Sequence, residues 1–289
     1  MALTLFATVL SSRADVVAEW KFDGTADVAA GGVVNLDNAA AGASKDSKLQ
    51  SDTRFVAGST GMSASWASFL KSGFLEVGAG GGDGNKNRFG LVTQDNPAGA
   101  KNGQFRRYLG YSGLSPDKSG SVCVIVSPGS DWTTATRRGF FSTGHSIDGS
   151  ISLAVQKTGP LVFRVGGKKE KFVDASVTRT WLPGKWYFIG ASWGGGKKSV
   201  LVVYEIGPDL QSTLLKSDSV ESTEPCPTCE QPRYDPLVVG ANWYNTGGEC
   251  FTNEGADGRL AYLRVDNTFA DAAAFKAILT SLAAANPAP

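Results

Sequence analysis

Short runs of β-forming residues alternate with turn clusters along most of the chain. In VVAEWKF (16–22), Val16, Ala18, Trp20 and Phe22 fall on one face, and Val17, Glu19 and Lys21 on the other. That period-two alternation predicts a half-buried strand. A stretch rich in Gly, Ala, Ser and Asn (23–65) carries few strand signals. GFLEVGA (73–79) is the next strand, and the glycine cluster GAGGGDGNKNRFG (78–90) reads as a loop. Strands then follow densely at 105–111, 121–127, 138–144, 150–156, 160–166 and 171–177. The series continues at 185–193, 199–206, 212–218, 236–244 and 258–266, punctuated by turns such as Leu182-Pro183-Gly184. Many strands with no helices between them exclude a βαβ architecture and predict an all-β, antiparallel, two-sheet jelly-roll sandwich.

One helix is expected, near the C-terminus. In FADAAAFKAILTSLAAA (269–285), Phe275, Ile278, Leu279 and Leu282 form an i, i+3, i+4, i+7 stripe. Thr268 with Asp271 three residues on fits a capping box at its start. Residues 15–286 are read as one domain. Residues 1–14 are read as a signal peptide, from the apolar run Ala2–Leu10 and the small residues Ser12 and Ala14 before Asp15. The apolar run is too short to span a membrane, which takes about 18 residues or more.

Composition narrows the partners. With 28 basic and 27 acidic side chains the formal net charge is +1, so no global field draws the chain to nucleic acid. Glycine (36 residues) is well above its usual share of about 7%, as a turn-rich β protein requires. Of the four cysteines, Cys123 sits in the strand SVCVIVS and is expected to be buried and reduced. Cys226-x-x-Cys229 and Cys250 are one ligand short of a zinc site, and Cys250 is expected to pair with Cys226 or Cys229 in an oxidising compartment.

Several segments carry a likeness that periodicity does not reveal. They are AEWKFDG (18–24), SGSVCVIVSPGSDW (119–132) and FFSTGHSIDGSISLAVQKTGPLVFRVGG (140–167). They continue with GKWYFIGASW (184–193), SVLVVYEIG (199–207), DPLVVGANWYNTGG (235–248) and DGRLAYLRVDNTFADAAAFKAI (257–278). In this order they resemble the concanavalin A-like lectin/glucanase superfamily, in its laminin G-like branch. Residues 23–72 and 78–104 are outside the likeness. The resemblance implies the sandwich, with the first strand returning beside the last. It also implies a structural calcium ion held near loop ends, for which Asp23, Asp257 and Asp266 are the candidates.

Chemistry was sought in each arrangement these folds use. Glycoside hydrolysis needs two carboxylates flanking the bond, and on one strand they share a face at i, i+2. No two of the 27 acidic residues are two apart. A polysaccharide lyase needs a base and a carboxylate neutraliser; His145, Tyr108, Tyr111, Tyr187, Tyr244 and Arg106-Arg107 are the available groups. The alginate-lyase Gln-x-His pattern is broken by Thr143, and His145 reads as a turn residue. Asp83-Gly84-Asn85-Lys86-Asn87 begins like an EF-hand but has Arg88 and Gln94 where Gly and Glu are required.

Three functions follow in order. The first is a secreted module that binds a glycan or glycoprotein without catalysis; the second is a polysaccharide-degrading lyase or hydrolase; the third is a protein-interaction module. For the first, Trp243 and Tyr244 are the expected stacking pair, with Asn242 and Asn245 as hydrogen-bonding neighbours. Trp132 with Asp131 opens a second candidate loop.

Overall fold

The structure is a computed structural model. It describes residues 16–22, 27–29, 33–35, 47–49, 53–57, 66–67, 70, 73–78, 91–93, 114, 118–133, 137–143, 151–157, 159–166, 172–194, 197–207, 217–225, 237–246 and 249–284. The strands are β1 (Val16–Trp20), β2 (Asp27–Ala29), β3 (Val33–Asn35), β4 (Ser47–Leu49), β5 (Thr53–Ala57), β6 (Gly73–Val77) and β7 (Leu91–Thr93). Next come β8 (Gly120–Pro128), β9 (Arg138–Thr143), β10 (Ile151–Val155), β11 (Pro160–Gly166), β12 (Phe172–Thr178) and β13 (Trp186–Gly194). The last are β14 (Lys197–Ile206), β15 (Ser217–Pro225), β16 (Leu237–Val239), β17 (Asn242–Thr246), β18 (Glu249–Asn253) and β19 (Gly258–Asp266), followed by helix α1 (Ala272–Ala284).

Two antiparallel sheets face each other. The first runs β15-β14-β13-β8-β19-β6-β5, and the second runs β12-β11-β10-β9-β16-β7-β4-β3-β2. Their inner faces interlock Val122, Val124, Val126 and Ile189 with Phe141, Leu153 and Phe163, all buried. At one side β12 lies against β14 and β15, so neither sheet leaves that edge open. The far edge of β19 is shared, with β6 pairing at Gly258–Leu260 and β1 pairing at Leu263–Asp266. Trp20 is thereby set opposite Leu263, and the Tyr262 hydroxyl donates to Glu19 Oε1 at 2.7 Å. The first strand does return beside the last.

The first sheet is buried on its outer face as well. Cys123, Ile125, Phe188, Val202 and Tyr262 pack under Phe275, Leu279, Leu282 and Ala283 of α1, with Trp66 and Leu70 alongside. This explains why SVCVIVS reads as a continuous apolar run rather than an alternation: both faces of β8 lie in apolar surroundings. Cys123 is free and buried, and its burial pushes the thiol well above the ordinary range, with the nearby Asp266 charge adding to the effect. Phe275 lies over Gly190, where a Cβ would stand 2.5 Å from its ring. Among the described residues no helix is long and apolar enough to cross a membrane.

Four local expectations change. The helix begins at Ala272, not beside Thr268, because Asp271 is itself the cap: its Oδ1 accepts the Ala274 N–H at 2.8 Å. Ala270 cannot join the helix usefully, since its carbonyl accepts the Ser192 hydroxyl at 2.6 Å and anchors the chain to the sheet. The run 236–244 divides into β16 and β17 at Gly240, whose φ of 76° turns the chain. The strand expected at 212–218 appears as β15 at Ser217–Pro225, and the stretch 23–65 contributes β2 to β5 despite its weak signals. The strand expected at 105–111 lies outside the described residues.

Gly190→Ala forces its methyl into the Phe275 ring and is expected to lose about 1–3 kcal/mol, the usual cost of overpacking a dense core. The urea midpoint should fall with an unchanged slope. Peptide mapping after native alkylation should find Cys123 unlabelled, with labelling only after unfolding.

Candidate functional site

The outer face of the second sheet carries polar rows. Leu153, Phe163 and Ala175 point into the core, so their strand neighbours point outward. Register sets Ser142, Ser152, Arg164 and Asp174 in one row across β9, β10, β11 and β12, and Gly139, Ala154, Val162 and Ser176 in the next. Arg164 and Asp174 pair in bidentate geometry, Nε to Oδ1 at 2.8 Å and Nη2 to Oδ2 at 2.7 Å. Ser142 and Ser152 are buried, as a covered part of this face requires.

A separate two-stranded hairpin, β17 paired with β18, is seated at that covered part. Its seat is Gly139. A Cβ there would stand 2.5 Å from the Ala241 carbonyl carbon and 2.6 Å from the Asn242 nitrogen, so backbone crosses directly over backbone. The Gly139 N–H donates to the Glu254 carbonyl and the Gly240 N–H to the Phe140 carbonyl, each at 2.8 Å. Glu254 Oε2 then accepts Asn242 Nδ2 at 2.6 Å and lies 3.5 Å from Arg137 Nη1. Burial lowers the Arg137 pKa from its ordinary value, opposed by the Glu254 charge; Arg164 and Asp174 are near enough to act on it too. Arg137 Nε and Asn242 Oδ1 have no hydrogen-bond partner among the described residues.

The segment after β18 holds two residues in left-handed backbone, Glu254 at φ 53° and Asp257 at φ 48°. Such conformations persist where surrounding contacts over-determine them. At Asp257 the contacts are many. Its carbonyl accepts the Gly129 N–H at 2.8 Å and Trp132 Nε1 at 3.0 Å. Its Oδ2 accepts the Ser130 hydroxyl and lies 3.2 Å from Arg138 Nη2.

The residues singled out from sequence separate on this framework. Trp243, Tyr244 and Asn245 lie on β17, opposite Thr252, Phe251 and Cys250, with Asn242 at the hairpin's base opposite Asn253. Asn242 is buried at 4% exposure, which fits a supporting amide. Trp132 is a correction. It is 1% exposed and packs on Phe140 and Trp181 at ring distances of 4.9 and 5.6 Å, so its face is spent in the core. Its neighbour Asp131 is exposed and accepts the Thr133 hydroxyl and N–H, which hold its carboxyl below the usual range. Tyr187 is also a core residue. Burial raises its phenol, and its oxygen accepts the Leu182 N–H at 3.1 Å.

Asp257 and Asp266, two of the three candidate metal ligands, stand at opposite ends of β19. Asp257 precedes β19 and Asp266 is its last residue, so at about 3.3 Å per residue they lie about 30 Å apart and share no ion. Each is taken up by arginine: Asp257 by Arg138, and Asp266 by Arg264 Nη2 at 2.7 Å. Among the described residues no cluster of three metal-ligating side chains occurs. Asp23, Cys226, Cys229, His145, Arg106, Arg107, Tyr108 and Tyr111 lie outside the described residues, as does the side chain of Cys250. Sequence reasoning missed Arg137, Glu254, Arg164 and Asp174. The available signals were Arg137-Arg138 entering a strand and Glu254-x-x-Asp257 leaving one.

Comparison with known proteins bears on the fold. No family model matches the chain, and no curated protein does. Among solved structures it is similar to the binding domain of botulinum neurotoxin DC in complex with SialylT, with a TM-score of 0.54 at 10% identity over 93% of this chain. It is also similar to the same binding domain in complex with rat synaptotagmin II, with a TM-score of 0.52 at 10% identity over 93% of this chain. The binding domain of botulinum neurotoxin serotype D gives 0.51 at 8% identity over 92%. In each case the chain spans 52% of the other's length. At such identity the likeness is one of fold, an antiparallel β-sandwich of jelly-roll type.

Asp257→Asn keeps a side chain that tolerates left-handed backbone but strips the charge facing buried Arg138. It is expected to cost about 3 kcal/mol, as for other broken buried pairs. Asp257→Ala should cost about 1 kcal/mol more through backbone strain. Urea unfolding of the two variants checks both figures.

Proposed function

We propose that this chain is a secreted, non-catalytic module that binds an extracellular glycan or glycoprotein on a concanavalin A-like, laminin G-like sandwich. The observation that carries the reading is the β17–β18 hairpin. Along β17, Trp243, Tyr244 and Asn245 follow Asn242 in the chain, and Asn242 shares Glu254 with Arg137. Sugars offer apolar C–H faces to aromatic rings and hydroxyls to planar polar groups, and this juxtaposition supplies both kinds of partner. Fold similarity to domains described as binding domains is in keeping with that use.

Binding is favoured over hydrolysis because the two carboxylates of the segment after β18, Glu254 and Asp257, are each engaged by an arginine instead of flanking a gap that a glycosidic bond could enter. A leader at residues 1–14 and a bridge from Cys250 to Cys226 or Cys229 belong to the same reading. Binding is calcium-independent or calcium-assisted in this reading; arginine engages Asp257 and Asp266, and Asp23 is the third candidate ligand.

A glycan array run with and without chelator tests the reading directly. Trp243→Ala and Tyr244→Ala are made singly, because successive strand positions fall on opposite faces. Trp243→Ala should abolish glycan binding while the melting temperature stays nearly unchanged. Unfolding of that variant would assign the ring to the core and remove it from the site. Release of reducing ends or unsaturated uronates from a polysaccharide panel would establish catalysis instead.

A further inference from the structure

The polar base of the hairpin has a definite hydrogen-bonding balance. Glu254 Oε2 is directed to both Asn242 Nδ2 and Arg137 Nη1. This fixes the Asn242 amide, because only its N–H side can face a carboxylate. With Asn242 buried, its Oδ1 is therefore a stationary acceptor, and Arg137 Nε is a donor beside the same carboxylate. Both are buried and unspent among the described residues. Buried polar atoms of native proteins normally find partners, so this pair has an unmet demand for one donor and one acceptor. The side chains of Arg137 and Glu254 remain 26% and 30% exposed, so the buried Arg137 Nε belongs to a side chain that reaches the surface.

The charge balance points the same way. Arg137 faces Glu254, Arg138 faces Asp257 and Arg164 faces Asp174. Among the described residues here, each of these arginines is already matched by a carboxylate. An acidic sugar would have to draw Arg137 away from Glu254, leaving a partly buried carboxylate uncompensated.

We infer that Arg137, Asn242 and Glu254 form the hydrogen-bonding floor of the site, and that this floor selects a neutral sugar over its acidic counterpart. The inference rests on the glycan-binding reading above and specifies its ligand class. A hydroxyl donates to Asn242 Oδ1 while accepting from Arg137 Nε. A carboxylate or sulfate group has only acceptors to offer, and would meet Asn242 Oδ1 and Glu254 with no proton between them.

The test uses the full chain and a panel in which each neutral hexose oligosaccharide is paired with its sialylated and its uronate-containing counterpart. The wild type should bind neutral members about tenfold or more tightly than acidic ones, a difference of about 1.4 kcal/mol. Glu254→Gln keeps the shape but releases Arg137, so the acidic-to-neutral affinity ratio should rise about tenfold. Adding Arg137→Gln to that variant should bring the ratio back toward the wild-type value. Wild-type preference for the acidic member overturns the inference while leaving the glycan-binding reading intact. So does a folded Glu254→Gln variant with an unaltered ratio. Failure of the wild type to bind any glycan overturns both.

Discussion

The double burial of the first sheet is the constraint on which the rest depends. β8, β13 and β19 have the second sheet on one face and α1 with Trp66 and Leu70 on the other. Each large apolar side chain taken fully out of water contributes about 1.5–3 kcal/mol, and these strands bury them on both sides. A sheet so enclosed cannot shift register without moving apolar groups in two layers at once. Its strand ends therefore hold fixed positions.

The second sheet is built for a different purpose. Its inner face completes the core, while its outer face carries the row Ser142, Ser152, Arg164 and Asp174 and, over β9, the β17–β18 hairpin. The hairpin is seated by contacts of backbone with backbone at Gly139 and Gly240. From there the chain passes through two left-handed residues, Glu254 and Asp257, into β19. Glu254 serves the hairpin base, and Asp257 ties Ser130, Trp132 and Arg138 to the end of the sandwich. One short segment thus links the rigid core to the surface proposed to bind ligand.

This arrangement separates stability from recognition. The aromatic residues Trp132, Trp181 and Tyr187 cluster at the sandwich end, with Arg179 lying 4.8 Å above the Tyr187 ring. They are occupied with one another and with buried hydrogen bonds, so they brace the loops instead of presenting faces to a ligand. The hairpin proposed to meet the ligand is held in place by Gly139 and the 254–257 segment.

The amino-acid pattern by itself determined the strands whose packing is periodic. β11 at 160–166 and β19 at 258–266 coincide with the runs read from sequence, since an outward-facing polar residue at every second position or an unbroken apolar run is a local signal. The apolar stripe of α1 was legible for the same reason, and its buried residues are Phe275, Leu279, Leu282 and Ala283. The short strands β2 to β4 were not legible, because three residues are too few to establish a period. Tertiary structure alone decided that Trp132 is a core ring, that Asp257 belongs to Arg138, and that Arg137 and Asn242 share Glu254. Ser130 and Asp257 are 127 residues apart in the chain. A local window carries no record of such a pairing, and only the closure of the two sheets brings those residues together.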